Sequence, residues 1–243
     1  MARSITLPLT AVVRLLQTNN LGEPHVVLAG GERYYSPRFK EENERELRRQ
    51  LSESDVDPDD VYDALSLIQH ADTEYYGWVD AGNGDEAILL AGLRGNGILL
   101  IRSGDHVTVR WTGSDRLAET LVAQLPGTPP GRGESISIRA DEYGKRPADS
   151  RMQAARSSRP HGVRRMEALL AAPRFGGGKL YAAIRDEEGR RVRSADWVTY
   201  LDIEDYGRWL VYAADGRGER SVTAVPGTPD RFAAKLHDLA RTT

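Results

Sequence analysis

The alternation of apolar and polar positions divides the chain into helical stretches and two runs of short strands. Ile5 to Leu16 is largely apolar and reads as a strand-like lead-in followed by a helix from Ala11 to about Thr18. Thr10 suits the N-cap of that helix, and Val12, Val13, Leu15 and Leu16 share one broad face. Asn19, Asn20 and Gly22 stop it. His25 to Ala29, β-branched and apolar between Pro24 and Gly30-Gly31, predicts a short strand. Phe39 to Leu51 predicts a very polar helix. Asp57-Pro58 opens another, because Asp serves as N-cap and Pro fits the first helical position, with Val61, Ala64, Leu65 and Ile68 as its buried stripe.

From Tyr75 the period changes to two. Tyr75 to Asp80, Glu86 to Leu93, Ile98 to Arg102 and Val107 to Trp111 are separated by glycine-rich turns and predict antiparallel hairpins. A helix then carries Leu117, Leu121, Val122 and Leu125 before Pro126. The same order returns later. Strands are expected at Leu180 to Arg185, Val192 to Leu201, Trp209 to Ala213 and Ser221 to Val225, then a helix from Pro229 with Phe232, Leu236 and Leu239. Gly97-Ile-Leu-Leu-Ile, a turn, Val107-Thr-Val and Gly113-Ser-Asp-Arg-Leu-Ala match Arg208-Trp-Leu-Val-Tyr, a turn, Val222-Thr-Ala and Gly227-Thr-Pro-Asp-Arg-Phe-Ala. Each unit alone would leave a sheet face and edges uncovered, so the two are expected to join in one extended antiparallel sheet of an α+β, quasi-two-fold fold. The expected organisation is one domain over 1–243 with pseudo-repeat halves at about 1–135 and 166–243. Met166 to Ala172 predicts a short helix leading into a Gly176-Gly177-Gly178 turn.

Composition narrows the function. Of 243 residues, 40% are apolar and 28% charged, which suffices for a buried core and excludes a disordered chain. The absence of cysteine removes disulfides, thiolate zinc sites and a cysteine nucleophile. Thirty-three basic against 36 acidic side chains leave a net charge of −3, no polycation for nucleic acid. Charge is uneven, however. Glu41 to Asp63 has a local net of −7, read as solvated helix faces, and Gly144 to Arg165 one of +6, read as a flexible basic segment. Arg14 and Pro8 interrupt the amino-terminal apolar stretch, and Ala87 to Leu93 is far shorter than the roughly 20 residues of a bilayer span, so membrane insertion is not expected. The expected location is the cytoplasm.

Catalytic motifs come close without closing. Gly82-Asn-Gly84-Asp-Glu-Ala87 spells a dinucleotide fingerprint, but it lies in a hairpin with no helix to hold a pyrophosphate. Gly178-Lys179 lacks the following hydroxyl of a phosphate loop, and Gly133-Glu-Ser135-Ile-Ser137 lacks the last glycine of a nucleophile elbow. The five histidines show no pair at metal-binding spacing. No cofactor is expected. An enzyme built near Asp186 and Asp202 is the weakest reading. Aromatics on the sheet remain: Tyr75, Tyr76 and Trp78 early, then Trp197, Tyr200, Trp209 and Tyr212. Alternation puts Tyr76 and Trp78 on one face, and Trp209 and Tyr212 on opposite faces of one strand. Such residues either pack under helices or anchor a partner.

The ordered motifs resemble the EspG family, cytosolic chaperones of actinobacterial type VII (ESX) secretion. The likeness runs through Leu9 to Leu28, the charged helix at Arg45 to Leu51, Val56-Asp-Pro and Ala64-Leu-x-x-Ile. It continues in Leu169-Leu-Ala-Ala-Pro-Arg, Gly176-Gly-Gly, Ala182-Ala-Ile-Arg-Asp-Glu-Glu-Gly-Arg-Arg, Val198-Thr-Tyr-Leu-Asp, Tyr206-Gly-Arg-Trp-Leu and the Arg231 to Leu239 helix. The resemblance implies a quasi-two-fold α+β fold with a central antiparallel sheet and two helical bundles. It implies a non-enzymatic chaperone that covers the exposed helical tip of PPE proteins in PE–PPE pairs. Its partner surface would use the sheet, the carboxyl-terminal bundle and the loop between the second and third strands. Here that points to Trp197, Tyr200, Trp209 and Tyr212 and to the loop Ala81, Gly82, Asn83, Gly84 and Asp85. A small-molecule or regulatory protein with the sheet as ligand cradle is the alternative. Free sheet edges would also allow a homodimer.

Overall fold

The computed structural model describes residues 4–31, 40–54, 56–80, 84–143, 160–216 and 219–243. Strand β1 (Ser4–Pro8) turns Ile5 and Leu7 inward and pairs antiparallel with β5 (His106–Gly113). Helix α1 (Leu9–Thr18) follows with Pro8 at its N-cap. Thr10, the expected cap, lies inside the first turn, because the Leu9 N–H is already taken by the Asp105 carbonyl at 2.7 Å. The expected strand at His25 to Ala29 is instead a 3₁₀ turn, Val26–Leu28. His25 Nδ1 accepts the Val27 N–H at 3.2 Å, a local bond that competes with extension. Helix α2 (Lys40–Glu53) turns Leu47 and Leu51 to the core. In α3 (Pro58–His70) Asp57 caps the Asp59 N–H at 3.0 Å and the expected stripe is buried.

Strands β2 (Thr73–Asp80), β3 (Asp85–Leu93), β4 (Asn96–Ser103) and β5 form consecutive antiparallel hairpins, then α4 (Leu117–Val122) crosses back. The short β6 (Ile136–Arg139) was not legible in sequence. Helix α5 (His161–Ala171) starts inside the segment expected to be flexible; the rest of that segment, 144–159, lies outside the described residues. The second run comprises β7 (Arg174–Arg185), β8 (Arg191–Arg193), β9 (Val198–Ile203), β10 (Gly207–Gly216), β11 (Glu219–Pro226) and α6 (Pro229–Arg241).

The eleven strands of the described residues join one antiparallel sheet in the order β1-β5-β4-β3-β2-β7-β9-β10-β11-β6, with β8 beside β7. The order repeats about the β2–β7 seam: β7, β9, β10 and β11 follow outward as β2, β3, β4 and β5 do, and β6 takes the place of β1. The fold is therefore α+β and quasi-two-fold. On one face, here the front, α1, α2 and α3 bury Leu89, Leu100 and Val109 of the first half. Farther along the same face α5 covers Leu201, Ile203 and Trp209 with Val163, Met166 and Leu169. On the back, α4 and α6 pack together over Leu90, Leu180, Tyr200 and Leu210, straddling the seam.

Two expectations in the second run are corrected. Gly176-Gly177-Gly178 is not a turn but part of β7, where a Cβ on Gly178 would lie 2.5 Å from the Tyr200 ring. The missing side chain is what lets Tyr200, its cross-strand partner, lie flat against the sheet. The single strand expected at Val192 to Leu201 is split. Ser194, buried, donates its N–H to the Ala182 carbonyl at 2.9 Å while its hydroxyl accepts the Ala182 N–H at 3.2 Å. That local closure ends β8 and lifts the chain through Trp197 before β9 begins.

Candidate functional site

Among the described residues, no helix covers the seam of the sheet between the front-face helices. Its side chains form rows across the strands. Trp78 of β2 stands opposite Lys179 of β7, which stands opposite Thr199 of β9; Tyr76 stands opposite Tyr181; Glu74 stands opposite Ala183, which stands opposite Arg193 of β8. Tyr76 and Tyr181 stack with centroids 5.5 Å apart at 21°, as cross-strand aromatics do. Trp78 meets Tyr181 edge-on at 6.2 Å, and Trp197 reaches the other side of Tyr181 at 6.3 Å. Trp78 and Trp197 remain 41% and 42% exposed. Lys179 Nζ lies 3.7 Å from the Trp197 ring centroid, and the Arg193 guanidinium 5.2 Å from that of Tyr181. The result is an aromatic strip edged with cations.

Both ends of the strip carry charge. Toward the first helices, Glu74 is 2% exposed, yet Arg191 Nε donates to its carboxylate at 2.5 Å and His25 Nε2 stands 3.3 Å away. Burial alone would push the Glu74 carboxyl up; the hydrogen bond from His25 and the charge of Arg191 outweigh it and hold it below the ordinary carboxylate range. Burial dominates at His25 and pushes its imidazole down despite Glu74. Toward the hairpin end, Trp78, Asp80, Asp85, Lys179, Thr199 and the backbone of Gly176 to Gly178 line an open groove of about 480 Å³.

The residues singled out in sequence do not share one surface. Trp197 belongs to the strip. Asp85 lines the groove beside it and Gly84 (φ 135°) precedes β3, while Ala81, Gly82 and Asn83 lie outside the described residues. Tyr200 and Trp209 are corrected to core positions. Tyr200 is fully buried on the back, against Phe232 and beneath the Arg208 guanidinium. Its hydroxyl has no hydrogen-bond partner among the described residues, and burial pushes its pKa well above the phenol range. Trp209, 2% exposed on the front, lies under the 129–133 strap. A Cβ on Gly131 would stand 2.3 Å from its Nε1, so only glycine permits that approach. Tyr212 is half-buried on the back with Lys235 Nζ 4.6 Å from its ring centroid. Alternation had placed Trp209 and Tyr212 on opposite faces correctly but could not say that both faces carry helices.

Conversely, Tyr181, Lys179 and Arg193 were missed. Tyr181 and Lys179 do alternate with the buried Leu180 and Ala182, which marks a face. Only the β2–β7 pairing brings them beside Trp78.

Asp202 of β9 is buried in a two-bonded pair with Arg208 of β10 (2.7 Å each) and also accepts from Thr128 Oγ1 at 2.9 Å, so it fastens the strap after α4 to both strands. Asp186 is held by Arg190 in a turn. Asp85 to Ala87 already belong to β3, so Gly84 precedes a strand and not a helix. Among the described residues no group of three or more His, Asp or Glu side chains could hold a metal ion.

The described residues define an α+β fold with an exposed aromatic strip, and the comparison with known families specifies the family. The EspG family model matches residues 8–238, and the chain belongs to that family. No curated protein matches the chain. Among solved structures it is similar to the Mycobacterium tuberculosis type VII secretion system chaperone EspG5, solved in complex with a PE25–PPE41 dimer. The likeness covers 99% of this chain and 96% of that one at a TM-score of 0.61 and 16% identity, which is a shared fold.

Proposed function

We propose that this protein is a non-enzymatic chaperone of type VII secretion that binds the exposed helical tip of a PE–PPE-like pair, keeps it soluble and presents it for export. The observation that carries the reading is membership of the EspG family over nearly the whole chain. The open strip of Trp78, Tyr181 and Trp197 supports it, because exposed aromatics on a rigid sheet supply contact area at small entropic cost. Trp197 and the hairpin loop carry forward as client contacts; Tyr200 and Trp209 hold the sheet in shape. Covering an apolar tip lowers the free concentration available for self-association by mass action, without covalent chemistry. The same reading has the protein act in the cytoplasm, ahead of the secretion machine.

The test is co-expression with a PE–PPE pair encoded in the same genome. A soluble complex containing all three chains in equal amounts is the expected result, and client solubility unchanged by co-expression would sink the reading. Thermal shifts with a metabolite library but none with the pair would favour the ligand-cradle alternative.

A further inference from the structure

The charges around the strip say what a client must carry, an inference that rests on the open front face being the client surface. Many arginines of the described chain are already engaged by carboxylates: Arg208 by Asp202, Arg191 by Glu74, Arg190 by Asp186 and Glu188, Arg220 by Asp196. Lys179 and Arg193 differ. Among the described residues neither has a carboxylate within ion-pair distance, and both lie against aromatic rings of the strip. Arg174, on the groove wall, donates to the Leu170 carbonyl and likewise pairs with no described carboxylate. A cation held over a ring keeps its N–H donors free for an acceptor.

Docking changes the balance. In the free protein these cations reach water: Arg193 is exposed and Lys179 partly so. An apolar tip laid over Trp78, Tyr181 and Trp197 would strip that water away. A buried charge without a partner is strongly unfavourable, whereas a carboxylate brought by the client would convert the same burial into charge-assisted hydrogen bonds. Around Lys179 and Arg193 the surface therefore disfavours neutral and basic tips and rewards acidic ones, whereas Asp80 and Asp85 at the hairpin end of the groove do not. We propose that the front-face strip selects helical partners whose apolar tip is flanked by carboxylates, with Lys179 and Arg193 as the specificity-determining pair.

Three synthetic helical-hairpin peptides with one Leu/Phe tip, flanked by Glu, Gln or Lys, test this against the full-length protein by fluorescence anisotropy. The Glu peptide should bind about tenfold tighter than the Gln peptide, with the Lys peptide weakest, and rising salt should narrow the gap. In the Lys179→Gln/Arg193→Gln protein the Glu and Gln peptides should converge without loss of Gln-peptide affinity, an outcome that general damage to the fold would not produce. Lys179→Arg should retain the preference, and thermal melting checks that each variant is folded. Equal binding of all three peptides, or preference for Lys, overturns the charge rule while leaving the strip as a docking face. No binding, or binding unchanged in Trp78→Ala/Trp197→Ala, overturns both the rule and the docking face. The chaperone reading stands or falls separately, on co-expression with the PE–PPE pair.

Discussion

Trp197 and Tyr200 stand three residues apart in the chain and have opposite fates. Tyr200 points to the back, where α4 and α6 meet over the seam, and is fully enclosed; Trp197 points to the front, where α1–α3 end on one side and α5 begins on the other, and stays 42% exposed. The two faces of one sheet thus divide the labour. The back is closed symmetrically, α4 of the first run against α6 of the second, with Tyr75 hydrogen-bonded to His237 at 3.1 Å and pushed up to about 12 by burial. Among the described residues the front is covered only from its ends. A sheet closed on both faces would be more stable and would leave no aromatic strip exposed.

Substitutions can break this contrast, and the largest effect is expected at Tyr200. Tyr200→Ala removes a ring packed on Phe232 and Gly178 and should cost roughly 3 to 5 kcal/mol, read as a large fall in melting temperature. Asp202→Ala strands the buried Arg208 guanidinium and should cost about 3 kcal/mol or more by chemical denaturation, with the strap over Trp209 loosened. Trp197→Ala should do the reverse of Tyr200→Ala: client binding falls about tenfold while stability shifts by less than about 1 kcal/mol. Equal stability losses at Trp197 and Tyr200 would erase the distinction between the faces.

Acid should probe the closed end of the strip. His25 and Glu74 both have folded pKa values below their ordinary ones of 6.5 and 4.5, so the unfolded chain takes up protons first and stability falls with falling pH. The melting temperature should drop as pH goes below about 6.5, and further below about 4.5. His25→Asn, which keeps an acceptor for the Val27 N–H, should flatten the upper part of that decline in a series of melts across pH. The smallest effect is expected for Tyr200→Phe. Its hydroxyl is buried without a partner, so removing it should leave stability unchanged or raise it by up to about 1 kcal/mol.

Local pattern was a good guide wherever a single element decides its own state. The Asp57-Pro58 start of α3, the four hairpin strands, the helix from Pro229 and the repeat that becomes the pseudo-two-fold sheet are all written in neighbouring residues. It failed where a distant group intervenes. The Asp105 carbonyl moves the start of α1, Ser194 splits a strand by substituting in the ladder of β7, and β6 exists because β11 offers it an edge. The glycine run reads as a turn in isolation and as a strand once Tyr200 needs the space.

The sequence by itself determined the class of fold, the order of most of its elements and the aromatic residues from which a binding face could be made, because hydrophobic period and turn chemistry act over a few residues. Which aromatics face solvent was decided by tertiary structure alone. Alternation assigns a side chain to one face or the other, but exposure depends on which helices return to cover that face and where they stop. Tyr181 and Lys179 join Trp78 only through a pairing of β2 with β7 across about a hundred residues of chain, a contact whose partners no local pattern names.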